Sequence, residues 1–181
     1  MLSYLVVLLL LPLISFSADP DSLQDFCVAD QSDTSNIFGS NVTGGNVLNF
    51  PALNTLGISM NRVDFAPGGV NPPHSHPRAT ESGVVIEGKL LVGFVTTGNV
   101  YHSKVLTAGQ MFVIPRGLVH FQKNVGVGKA LSSRLSTVSY QGLWSFPLLS
   151  LLQPSIPDDV LTRAFQVEEK VVESIKSKFS S

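Results

Sequence analysis

The chain has 181 residues, with 12 Lys and Arg against 13 Asp and Glu, four His, a single Cys and a formal charge of −1. Charged residues make up 14% of it, well under the roughly 25% of ordinary soluble domains, so the surface is poorly suited to a polyanion and nucleic acid is excluded as a partner. One cysteine excludes a self-contained disulfide scaffold and a thiolate zinc site, and 44% hydrophobic residues exclude general disorder.

Met1 to Phe16 is apolar except for Ser3, Tyr4 and Ser15. The run is too short to span a bilayer, which takes about 20 apolar residues. Small residues at Ser15 and Ser17 precede polar Asp19, so residues 1–17 read as a secretory signal peptide, although no Lys or Arg precedes the apolar run. A short buried helix is the alternative. Residues 18–181 then form one domain, secreted and with no membrane contact after cleavage. Within it, residues 18–54 are an N-terminal extension, where Ser, Asn, Gly and Thr crowd positions 30–50 and read as loop. Asn41-Val42-Thr43 is a glycosylation sequon, which makes Asn41 the expected glycan site.

Residues 55–145 read as a barrel core. Leu56, Ile58 and Met60 alternate with polar or small neighbours, and after Arg62 the apolar positions shift to Val63 and Phe65. Short β-branched runs follow over 83–87, 89–96, 100–106, 110–114 and 119–124, punctuated by Gly and Pro. That pattern predicts an antiparallel sandwich or barrel. Beyond Pro157, apolar residues from Leu161 to Phe179 recur at helical spacing, and Asp158-Asp159 is placed to cap the first turn. One or two helices are expected over 157–181.

Three of the four histidines carry the chemistry. Residues two apart on a strand share a face, so His74 and His76 can point into one cavity. Glu81 lies an odd number of positions beyond His76 and needs a bulge after Pro77 to return inward. His120 follows on a later strand. Three imidazoles and a carboxylate suit a divalent metal, and four N/O ligands on an octahedral ion leave two positions open, which fits Mn or Fe better than Zn. That ligand set carries one negative charge, so a divalent ion leaves net +1 and attracts small anions. His102 has no such company and is assigned to the surface.

The histidines belong to a two-part pattern: Gly68-x5-His74-x-His76-x4-Glu81-x6-Gly88, then Gly109-x5-Pro115-x-Gly117-x2-His120-x3-Asn124. These are the two cupin motifs. Around them the strings DFCVAD, ALNTLGISMNRVDFAPGG, NPPHSHPRATE, LLVGF, FVIPRGLVHFQ and IPDDVLTRAFQV resemble plant germins and germin-like proteins over most of the chain. The resemblance implies an all-β fold, a jelly-roll cupin barrel with C-terminal α-helices, which is secreted to the apoplast, glycosylated and assembled as trimers or hexamers. It implies Mn2+ held by His74, His76, Glu81 and His120. It also implies catalytic carboxamides at Asn61, Asn71 and Gln122, which would position a small anionic substrate. Taken alone, Asn71 reads equally well as a turn residue before Pro-Pro, and Asn61 and Gln122 as polar strand decoration.

The activities so implied are oxalate oxidation with release of hydrogen peroxide, or superoxide dismutation, with a role in plant defence. The alternative is a cell-wall, storage or receptor-like cupin that holds metal without turnover. A sugar isomerase or an iron dioxygenase is a more distant possibility on the same barrel. Two departures from the family stand out. Cys27 lacks the family's second cysteine, with the segment that carries it, and the stretch Leu135–Gly142 replaces the family's Ser-Gln-Asn-Pro-Gly. Both lie outside the metal motifs.

Overall fold

The structure is a computed structural model that describes residues 30–138, 144–145 and 156–178. The signal segment 1–17 and Cys27 lie outside the described residues. Ten strands form two antiparallel sheets. They are β1 (Ser40–Gly45), β2 (Ser59–Phe65), β3 (Val70–Ser75), β4 (Glu81–Glu87), β5 (Lys89–Val95), β6 (Tyr101–Thr107), β7 (Met111–Ile114), β8 (Val119–Asn124), β9 (Ala130–Ser136) and β10 (Trp144–Ser145). The first sheet runs β1-β2-β9-β4-β7 and the second β10-β3-β8-β5-β6. A 3-10 turn at Pro51–Leu53 and the helices α1 (Asp158–Phe165) and α2 (Glu169–Ser177) complete the fold.

The five short runs read from the sequence become β4 to β8, with ends shifted by one or two residues. The segment from Leu56 differs. In β2 the inward positions are Ser59, Asn61, Val63 and Phe65 throughout, while Met60 is 49% exposed and Leu56 44%. The apolar alternation shifts at Arg62 but the strand does not: it keeps one facing throughout and places a polar residue, Asn61, inside. β1 falls in the stretch read as loop. Its Ser, Asn, Thr and Gly residues pair along β2 from Ser40–Phe65 to Gly45–Met60, so backbone pairing holds it where side-chain hydrophobicity does not.

Between the sheets, Val63, Phe65, Val85, Leu90, Val92, Leu106, Ile114 and Ala130 form an apolar core. A second core lies outside the second sheet, where Ile156, Val160, Leu161 and Val172 of the helical segment pack on Val70, Val95 and Phe121. Gly93 is required there, since a Cβ would stand 2.6 Å from the Phe121 ring. Both expected helices are present. Asp158 and Asp159 occupy the first turn of α1, where their charge favours the helix dipole, while the N-cap is Pro157, with no side-chain cap.

Candidate metal centre

β3 and β8 pair in the second sheet with His74 opposite His120. Neighbours across an antiparallel pair share a face, so both rings enter the space between the sheets. The register of β3 shifts between Asn71 and His74, a bulge that the Pro72-Pro73 pair fits because it offers no N–H to the ladder. His76 lies one residue past β3. Residues 77–80 then carry the chain across to the first sheet, and Glu81 opens β4 there. The bulge expected after Pro77 is thus a change of sheet, which brings Glu81 to face the histidines from the opposite wall.

A turn fixes this crossing. Gly117, at φ 79°, donates its N–H to the His76 carbonyl at 3.1 Å, so the Pro-Arg-Gly turn before His120 is tied to the loop after His76. The left-handed φ explains the glycine in the motif.

The three imidazoles form one buried cluster with centroid separations of 4.2 Å (His74–His120), 5.0 Å (His74–His76) and 5.4 Å (His76–His120). One ligand nitrogen from each lies within 4.8 Å of the others. The His74 Nδ1 lies 2.7 Å from the Pro72 carbonyl and the His120 Nδ1 3.0 Å from the Leu118 carbonyl. A carbonyl only accepts, so Nδ1 carries the proton in both rings and Nε2 keeps its lone pair for an ion. Glu81, 1% exposed, sets Oε2 3.4 Å from the His76 Nε2 and Oε1 3.6 Å from the His120 Nε2. Two lone pairs, the His76 ring and an anionic oxygen converge on one region. The donor set fits a hard or borderline divalent ion.

Arg134 was missed in the sequence. It sits inward on β9, 2% exposed, and its Nη1 lies 3.2 Å from the Glu81 Oε1 and 3.4 Å from Oε2. It pairs across the sheet with Asn61, and on the facing sheet it borders Asn71 and Gln122. Gln122 Oε1 is 3.2 Å from Nη1, and the two amides touch at 2.8 Å. The Asn71 amide lies 3.1 Å from both Nη1 and Nη2; turned with its carbonyl oxygen to the guanidinium it accepts from both, and the Gln122 amide turned in step donates its N–H to that same oxygen at 2.8 Å. The three carboxamides are therefore brought together, around a cation. No motif contains Arg134; the only signal for it is a lone Arg within a run of small residues that alternates at strand spacing.

Charges set the protonation states. Burial alone would raise Glu81, but the Arg134 guanidinium beside it holds the carboxyl well below the usual range. Burial pushes His74 well below the ordinary histidine value, with repulsion from His120 and Arg134 adding to it. His74 is neutral at physiological pH, as a ligand must be. With Arg134 counted, the ligand cavity is electrically neutral, not −1, and a divalent ion takes it to +2.

His102 is exposed, as expected, yet it is not remote. Its ring stacks on Phe94 at 5.3 Å, and Phe94 is the cross-strand partner of His120. Asn41 lies on the edge strand β1, and its Nδ2 donates to the Asp33 carbonyl at 3.0 Å.

Comparison with known proteins agrees with this fold. The Cupin family model matches residues 26–173. The chain is 48% identical to germin-like protein subfamily T member 2 of Arabidopsis thaliana, over 98% of this chain and 94% of that one. It is 46% identical to the rhicadhesin receptor of Pisum sativum, over 88% of each. Among solved structures, an oxalate oxidase in complex with the substrate analogue glycolate aligns with a TM-score of 0.67 and 48% identity, over 91% of this chain and 85% of that one.

Proposed function

The chain belongs to the germin-like proteins of the cupin family, and from that premise we propose that it is a secreted manganese protein that acts on a small carboxylate anion. The observation that carries this reading is the convergence of three buried imidazoles and Glu81, with Nδ1 of His74 and His120 engaged by backbone carbonyls. His74, His76, Glu81 and His120 hold the ion. When bound, manganese would supply a redox-active Lewis acid. Asn61, Asn71 and Gln122 form the polar wall beside it, and the buried cavity keeps bulk water from the anion.

The reaction favoured by the similarity to an oxalate oxidase is oxidation of oxalate. The C–C bond breaks to give two carbon dioxide molecules, and the two electrons and two protons reduce dioxygen to hydrogen peroxide. Superoxide dismutation at the same ion is the companion activity. Peroxide made outside the cell fits a defence role, export rests on the signal segment 1–17, and Asn41 is the proposed glycan site. An outer face of the first sheet lines up Met60, Leu135, Ser82 and Val113 across β2, β9, β4 and β7, the three apolar members at 49%, 40% and 60% exposure. An apolar stripe of this kind supports a homo-oligomer, trimer or hexamer.

One observation favours the second reading, a wall, storage or receptor-like cupin that holds metal without turnover. Arg134 already engages Asn71 and Gln122, the amides that would otherwise grip substrate. The deciding experiment is elemental analysis of the native protein, followed by peroxide and superoxide assays on the manganese-loaded form. Peroxide from oxalate, abolished in His120→Ala, supports the oxidase. Stoichiometric manganese with neither activity supports the second reading, and stoichiometric zinc overturns the manganese assignment.

A further inference from the structure

We propose that Arg134 is an internal counter-cation to Glu81, which balances the ligand cavity without metal and so weakens and conditions the binding of a divalent ion. The inference rests on the reading of His74, His76, Glu81 and His120 as ligands. It goes beyond that reading in naming a residue of this chain that competes with the ion for its carboxylate.

A carboxylate buried this deeply is a costly isolated charge unless it is paired. Arg134 pairs it. One guanidinium nitrogen reaches both Glu81 oxygens, at 3.2 and 3.4 Å, and those oxygens also face the His120 and His76 Nε2 atoms at 3.6 and 3.4 Å. Glu81 is therefore shared between the position an ion would take and a fixed cation that never deprotonates in proteins. Asn71 and Gln122 hold the guanidinium from the facing sheet, and Asn61 is its neighbour on β2. The cation is thus clamped in place, and it cannot leave for solvent when an ion arrives, being 2% exposed.

Two consequences follow from Coulomb's law. Without metal, the cavity is neutral and needs no ion to fold. With a divalent ion it carries +2 in a buried space, so the ion binds against repulsion from Arg134, and a small anion that neutralises the excess binds with it. By linkage, an anion that tightens the ion is itself tightened by the ion to the same degree. A dicarboxylate, which brings two charges and chelates two open positions, is the class of ligand that answers the imbalance.

The test compares the parent with Arg134→Met and Arg134→Lys by Mn2+ titration in chloride buffer, read by electron paramagnetic resonance of the free ion, and by thermal unfolding with and without Mn2+. Removing one unit of repulsion across a shared carboxylate should tighten Mn2+ at least about tenfold in Arg134→Met. Arg134→Lys, which keeps the charge, should stay within about threefold of the parent. Arg134→Met should also melt lower than the parent without Mn2+ and gain more on saturation, because the ion then replaces the lost guanidinium. Malonate, a dicarboxylate that oxalate chemistry does not consume, should tighten Mn2+ more in the parent than in Arg134→Met. If Arg134→Met folds only with Mn2+ present, the ion is standing in for the guanidinium and the proposal holds. Mn2+ bound by the parent but no tighter by Arg134→Met overturns it, as does a variant that folds under neither condition. No Mn2+ binding by any of the three proteins overturns the ligand reading itself, and the proposal with it.

Discussion

The space between the two sheets has two halves built on opposite terms. Toward one end, Phe65, Val85, Leu90, Leu106 and Ala130 fill it with apolar groups that need only shape and volume from their neighbours. Toward the other, His74, His76, Glu81, Asn71, Gln122, Asn61 and Arg134 fill a similar space with polar and charged groups, all buried. Burial stabilises the first half directly. In the second it is unfavourable until each charge meets its partner, so the second half is held by pairing and is only as stable as its least satisfied member.

Isosteric substitution in each half breaks this comparison most sharply. Leu90→Met conserves volume, and such swaps cost less than about 1.5 kcal/mol. Glu81→Gln is at least as close in shape, yet it leaves the Arg134 guanidinium buried without its counter-charge, a loss of about 3–5 kcal/mol. Urea unfolding of the metal-free proteins measures both. Equal losses in the two variants would show that the polar half is packed, not paired.

Acid should act on the polar half alone. His74 is held well below its ordinary value of 6.5, so under that pH the unfolded chain takes a proton that the native ring refuses. Stability therefore falls as pH drops below 6.5, until the native ring itself is protonated. Glu81 is held well below its ordinary 4.5, so its contribution is complete above pH 4.5 and is lost as pH falls toward the native value. The slope is at most about 1.4 kcal/mol per pH unit for each such proton. Unfolding of the metal-free protein between pH 7.5 and 4 should show a first decline below 6.5 and a steeper one below 4.5. Saturating Mn2+ should raise stability yet leave the first decline at least as steep, since the bound ion keeps the native ring unprotonated while the unfolded ring still takes its proton. A flat profile across that range would contradict the charge states assigned to the cavity.

The same contrast decides what was legible in the sequence. The apolar half is visible as β-branched alternation, and β4 to β8 were read with it. The candidate ligands His74, His76, Glu81 and His120 are visible because they sit, with Gly117, at fixed motif spacings. What escaped was polar and inward. β9 carries Ser132, Arg134 and Ser136 on its buried face, so alternation of hydrophobicity gives no strand there and Arg134 looks like surface. β2 misled for the related reason that its inward Asn61 and outward Met60 reverse the usual rule. Asn124 closes the second motif for a backbone reason. Its side chain donates to the carbonyls of Ala66 and Gly128 and accepts from the Gly126 N–H, clamping two turns at the end of β8.

The smallest effect is expected outside the barrel, where helix α1 meets β8. Lys123 of β8 pairs with Asp159, whose side chain is 58% exposed. An ion pair open to water on one side contributes less than about 1 kcal/mol. Asp159→Asn removes it, along with one of the two acidic groups in the first turn of α1, whose dipole term is itself about 0.3–1 kcal/mol. The helix remains fixed by Val160 and Leu161, both at 0% exposure against the second sheet. Thermal unfolding of Asp159→Asn should thus fall only slightly below the parent, with added salt shrinking the difference, and Mn2+ affinity should not change. Lys123 follows Gln122 directly, but adjacent residues on a strand point to opposite faces, so the pair lies on the far side of the sheet from the cavity. A changed Mn2+ affinity in this variant would mean that the outer face of β8 reports to the inner one, and that the two halves of the barrel are not the only boundary that governs the site.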